Sequence, residues 1–110
     1  MVLKTYRVEF TATASTAWKK YADLVTPSGK TRRFRELRIY FSSVGDVQVR
    51  IYYETEFIVE IDSRVWNEYK LPLPLDVEVV GGLRLNIEAN NNTSSNITIV
   101  IEFIVDETTA

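Results

Sequence analysis

Apolar and polar residues alternate with a period of two along most of this chain, and that alternation restricts it to β-strands with one face turned inward. Tyr6, Val8 and Phe10 share a face over residues 3–10, with Thr5, Arg7 and Glu9 on the other. Leu37, Ile39 and Phe41 oppose Glu36, Arg38 and Tyr40; Phe34 falls out of this phase, which places a bulge near Arg35. Val47, Val49 and Ile51 oppose Gln48, Arg50 and Tyr52, and Phe57, Val59 and Ile61 oppose Glu56, Ile58 and Glu60. Two further runs set Leu83, Leu85, Ile87 and Ala89 against Arg84, Asn86, Glu88 and Asn90, and Ile97, Ile99, Ile101 and Phe103 against Thr98, Val100 and Glu102. No window sustains a 3.6-residue period, although a single turn fits near 63–68.

Turn residues punctuate these runs. Ser42-Ser43-Val44-Gly45-Asp46 is expected to join the second and third strands as a hairpin, and the polar loop 90–96 to join the last two as a long C-terminal hairpin. Weaker strands are expected at 19–25, 67–73 and 76–80, while 12–18 stays ambiguous. Pro72 and Pro74 cannot donate to a ladder and so mark an edge or a crossover between sheets. Gly81-Gly82 marks a turn or bulged corner. About eight short strands at this spacing predict an all-β fold, an antiparallel β-sandwich or a barrel. A length of 110 residues suits a single β-sandwich domain, 1–110.

Composition removes whole classes of chemistry. The chain has no cysteine and no histidine, so disulfides, thiolate metal sites, and Ser-His-Asp or Cys-His catalysis are excluded. A Ser-Lys or carboxylate-pair mechanism stays open. Glu54, Glu56, Glu60 and Asp62 could supply carboxylates, since strand positions i and i+2 lie roughly 7 Å apart; the plainer reading is a solvated strand face. The four glycines match no phosphate-binding loop. Calcium could sit at Asp76/Glu78 or near Asp106-Glu107, but no EF-hand loop is present and no cofactor is expected. No apolar run suits a signal peptide or a membrane span, so the expectation is a protein made in the cytoplasm and kept off membranes.

Charge is unevenly spread. Residues 1–53 hold ten Lys/Arg against four Asp/Glu, and residues 54–110 hold three against eleven. Either strands of the two halves interleave, so that opposite charges meet within a sheet, or two faces of opposite sign meet between copies. The run Lys30, Arg32, Arg33, Arg35, Arg38 could grip phosphates, making a nucleic-acid-binding barrel one alternative; with Phe34 as its one aromatic it lacks a stacking platform. Trp18, Tyr21, Tyr52, Tyr53, Trp66 and Tyr69 are core or interface candidates, and Trp18, Trp66, Tyr52 and Tyr69 would carry a carbohydrate-binding alternative. Asn91, Asn92 and Asn96 each begin a glycosylation sequon, for which, with no signal peptide in view, a polar hairpin loop is the plainer reading.

Leu71-Pro72-Leu73-Pro74-Leu75, then Val80-Gly81-Gly82-Leu83-Arg84-Leu85, a polar Asn/Ser/Thr loop and a β-branched last strand resemble the closing strands of single jelly-roll structural proteins from tailed phages and archaeal viruses, such as capsid decoration, spike and penton-type subunits. The resemblance covers roughly residues 55–105. It implies an eight-stranded jelly roll, a non-enzymatic role in assembly, and trimers or other cyclic oligomers or docking on a capsid lattice, with the virion as its location. No catalytic residue comes with it. A jelly roll would set the first and last strands side by side, with Arg7 facing Glu102 or another acid. Apolar residues on outer phases, Ile58, Val100 and Ile104, together with Arg32, Arg33, Arg35 and Arg38, are the expected oligomer interface.

Overall fold

A computed structural model describes residues 2–66 and 72–109. The described residues contain eight strands and no helix: β1 (Val2–Ala12), β2 (Ser15–Val25), β3 (Lys30–Phe41), β4 (Val47–Tyr53), β5 (Glu56–Asp62), β6 (Leu73–Val80), β7 (Arg84–Asn91) and β8 (Ile97–Thr109). They form two antiparallel four-stranded sheets, sheet A in the order β1-β8-β3-β6 and sheet B in the order β2-β7-β4-β5. β1 pairs with β8, β2 with β7, β3 with β6 and β4 with β5. The chain is therefore one long hairpin with its apex at Glu54-Thr55, rolled up until β3 also meets β8 and β4 also meets β7. That is the jelly-roll winding of a β-sandwich.

The first and last strands lie side by side as expected. Every residue of β1 is in register with β8, and Arg7 stands opposite Glu102. The expected bulge is also present, because β3 shifts register between Phe34 and Glu36 against both its neighbours. Phe34 thereby stays inward, edge-on to Phe103 with ring centres 5.4 Å apart. Burying each such side chain contributes about 1.5–3 kcal/mol, and the inward rows of Leu37, Ile39, Val49, Ile51, Ile87, Ile99 and Ile101 are all fully buried.

Three expectations are corrected. Segment 42–46 does not close a hairpin: β3 lies in sheet A and β4 in sheet B, so the segment arches across the core. The C-terminal hairpin fails likewise, since β7 and β8 lie in different sheets. Alternation reports which face of a strand is inward, and a same-sheet hairpin and an inter-sheet arch share that pattern. The hairpin that does form, β4–β5, turns on Glu54 at φ 53°. Third, β5 changes phase. Val59 stands opposite Ile51 but Phe57 opposite Tyr52, which makes Ile58 an extra residue. Ile58 packs against the core, and Phe57 faces outward, 54% exposed.

The ambiguous stretch 12–18 holds the end of β1 and the start of β2. Residues 67–71 of the weak strand 67–73 lie outside the described residues, whereas β6 carries Pro74 on the rim of sheet A, where a proline is tolerated. The Gly81-Gly82 turn packs on the β2–β3 turn. Gly82 has φ 88°, and a Cβ on Gly81 would stand 2.9 Å from the Pro27 carbonyl oxygen.

The rolled hairpin also resolves the charge asymmetry. Each sheet alternates strands from the two halves of the chain, and in sheet A the basic β3 lies between the acidic β8 and β6. The two halves do not form two faces of opposite sign.

Candidate interaction surface

At one end of the sandwich the inward row of β3 finishes on a charge. Arg32 is only 8% exposed and Glu107, opposite it on β8, 4%. The Arg32 Nε donates to Glu107 Oε1 at 2.9 Å, and a second guanidinium N–H donates to the Val25 carbonyl at 3.0 Å. The guanidinium lies 4.3 Å from the centre of the Tyr6 ring, whose hydroxyl also donates to Glu107. Lys4 reaches the other carboxylate oxygen at 2.7 Å and Lys30 approaches it at 3.7 Å. The Lys4 ammonium, then the Arg32 guanidinium, hold the Glu107 carboxyl down at about 2. Arg32 is therefore corrected: it caps the core and is not presented to a partner. A buried charge needs such pairing, and this is the residue that the sequence pattern hid.

The remaining expected interface residues, apart from Ile58 on β5 of sheet B, stand on or near the outer face of sheet A. Arg33 donates to Asp76 and to Glu78 on β6, the latter at 2.9 Å, and Arg35 donates to Asp106 on β8 at 2.6 Å. These pairs tie strands within the chain, so most of the basic run is neutralised by its own sheet. A phosphate ligand would have to compete with these carboxylates for the cations of the run. Arg38 and Ile104 do come together, lining a shallow concavity of about 260 Å³ with Thr5 and Glu102. Val100 lies on this outer face between Glu9 and Tyr40 but is 4% exposed, so its own chain already covers it. With Ile58 packed against the core, two of the three apolar residues expected at an interface are covered wholly or partly by their own chain.

The outer face of sheet B disperses the carbohydrate candidates. The Arg50 guanidinium sits 4.1 Å over Trp18 and covers that ring face. Trp66 packs against the core. Tyr52 meets Phe57 edge-on at 5.9 Å, beside an open concavity that includes Lys20, Asn86 and Glu88. Tyr69 lies outside the described residues. No stacking platform unites the three described candidates.

Two of the four candidate carboxylates, Glu60 and Asp62, are held by cations. Glu60 accepts from Arg50 at 2.7 Å. The Arg64 side chain, then its backbone N–H and Gln48, hold Asp62 well below the usual carboxylate range, the opposite of what a general acid needs. Asp76 and Glu78 face Arg33, while Asp106 and Glu107 face Arg35 and Arg32. Among the described residues no three such ligands converge on a cation site. Asn91 is 2% exposed and its amide nitrogen donates to the carbonyls of Ala12 and Ser95, so it serves the fold and is not presented as a glycosylation acceptor. No helix among the described residues is long and apolar enough to cross a membrane.

The class defined at this point is an eight-stranded antiparallel β-sandwich with jelly-roll winding. No protein-family model matches the chain, and no curated protein matches it by sequence.

Proposed function

We propose that this chain is a non-enzymatic structural subunit that works by binding protein, either copies of itself or a shell lattice, in the manner of viral jelly-roll subunits. The observation that supports this reading is the rolled-hairpin winding itself, the architecture that the resemblance in the C-terminal half implies. The paired state of the charged side chains agrees with it. Arginines and carboxylates are used between strands, and what faces outward is a set of strand surfaces rather than a convergent site.

Size exclusion with light scattering, at micromolar concentration and two salt levels, tests the proposal. The expected result is a mass above that of one chain, with salt slowing association more than it dissociates the complex, since charge sets mainly register and on-rate. A monomeric mass under all conditions would defeat self-association. Binding to a glycan array with a change in tryptophan fluorescence would favour a carbohydrate module instead.

A further inference from the structure

We propose that two copies of this chain join through the free edges of their β1 strands, antiparallel about a twofold axis at Val8, so that the two A sheets run on as one. This rests on the reading of the chain as a self-associating subunit and specifies the surface and the symmetry. Four strands lie at sheet edges: β1 and β6 in sheet A, β2 and β5 in sheet B. β6 carries Pro74 and a register break, β2 breaks register twice, and β5 is short with its bulge at Ile58. Prolines, bulges and short length are what keep an edge from pairing. β1 has none of them. It runs 11 residues in unbroken register with β8, and its other side meets no ladder among the described residues.

The sequence of β1 selects a second copy as the occupant. Thr5-Tyr6-Arg7-Val8-Glu9-Phe10-Thr11 mirrors itself about Val8. Thr5 corresponds to Thr11, Tyr6 to Phe10, and Arg7 to the oppositely charged Glu9. Antiparallel pairing centred on Val8 therefore sets Arg7 of each copy against Glu9 of the other, twice, and Tyr6 against Phe10, twice. On the outer face Arg38, Glu102 and Arg7 stand in a cross-strand row of alternating sign, and Arg7 bonds Glu9 of its own strand at 2.9 Å, a bond that the pairing would exchange for one between copies. The next strand out would continue it with Glu9 of the second copy. On the inner face Tyr6, Val8 and Phe10 are only partly buried, and Phe10 stacks on Tyr21 of the neighbouring edge at 5.1 Å. The second copy's matching row would cover them. Lys4, the inward charge that could guard this edge, is tied to Glu107 and would stand opposite Ala12.

The chain has no cysteine, so Val8→Cys introduces a single thiol. At the axis it faces its own copy at about 4.5–5.5 Å between Cα atoms, inside the range for a disulfide. Thr5→Cys lies about 20 Å from its own copy in the same pairing and is the control. Mild oxidation at low micromolar concentration should convert most of the Val8→Cys protein, and little of the Thr5→Cys protein, to covalent dimer. In light scattering Arg7→Glu should halve the wild-type mass, and Arg7→Glu with Glu9→Arg should restore it, circular dichroism confirming that each variant is folded. A multimeric wild type whose mass is unchanged by Arg7→Glu, with equal cross-linking at positions 8 and 5, would overturn edge pairing and leave self-assembly standing. A monomeric wild type would overturn both.

Discussion

Glu54 holds the two-residue turn between β4 and β5 in a conformation that suits glycine better. Its φ of 53° lies in the left-handed region, where a side chain costs about 1–2 kcal/mol, and it is tolerated because Asn86 donates to the Glu54 carbonyl at 2.8 Å and the Glu54 N–H donates to Arg84 at 3.0 Å. Both bonds use the backbone. Glu54→Gly should therefore stabilise the protein by about 0.5–1 kcal/mol in urea melts, the relief of strain being partly offset by the greater freedom of an unfolded glycine; a loss of stability would show that the Glu54 side chain matters. The inward row of β8 gives a larger effect. Ile99 and Ile101 are fully buried, so truncating either to alanine should cost about 2–5 kcal/mol. Thr98, on the other face opposite Thr11, should cost well under half as much, and equal losses would mean that the strand is a residue out of phase.

At the scale of elements, side-chain phase was legible and connectivity was not. The period-two rows of β1, β3, β4, β7 and β8 are read directly from the chain, and Phe34 falling out of step located the bulge at Arg35. β5 was misread because a second bulge, at Ile58, sits in a strand too short to show a break in phase. The segments 42–46 and 90–96 read as hairpins in the sequence because nothing local separates an arch from a turn. The clue lay in long-range bonds: Ser42 donates to Thr98, Ser63 and Gly45 exchange hydrogen bonds, and Asn91 ties β7 to the end of β1. The Arg32–Glu107 pair was equally hidden, since 75 residues separate partners that the sequence presents as surface charges. Bulge and regular strand should also respond differently to deletion. Removing Arg35 leaves Phe34 and Leu37 both inward and loses the Arg35–Asp106 pair, so the variant should fold with lowered stability. Removing Arg38 turns one part of β3 inside out and should abolish cooperative unfolding in a calorimeter.

For the whole molecule, winding and charge are one problem. A rolled hairpin must place each strand of the first half beside strands of the second, and the basic and acidic halves make that arrangement attractive above all in sheet A, where β3 lies between β8 and β6. Most of these pairs are exposed and individually weak. The exception is Glu107, which is 4% exposed and ringed by Lys4, Arg32 and Tyr6. Its folded-state value of about 2 lies below the ordinary 4.5, so the unfolded chain binds a proton at this site more readily than the folded one. The stability it confers is complete above about pH 4.5, declines as the pH falls, and is gone below about 2. Asp23 and Asp62 are also held low by their cations and add to the same acid limb. Glu107→Gln keeps the shape and removes the titration. Urea midpoints taken from pH 7 to pH 2 should show the variant less stable than the wild type at neutral pH, because Arg32 loses its counter-charge. The two curves should then converge in acid, and the variant's slope between 4.5 and 2 should be shallower by up to one proton taken up on unfolding. Parallel curves would mean that Glu107 titrates alike folded and unfolded, and that the charged cap does not hold this end of the roll closed.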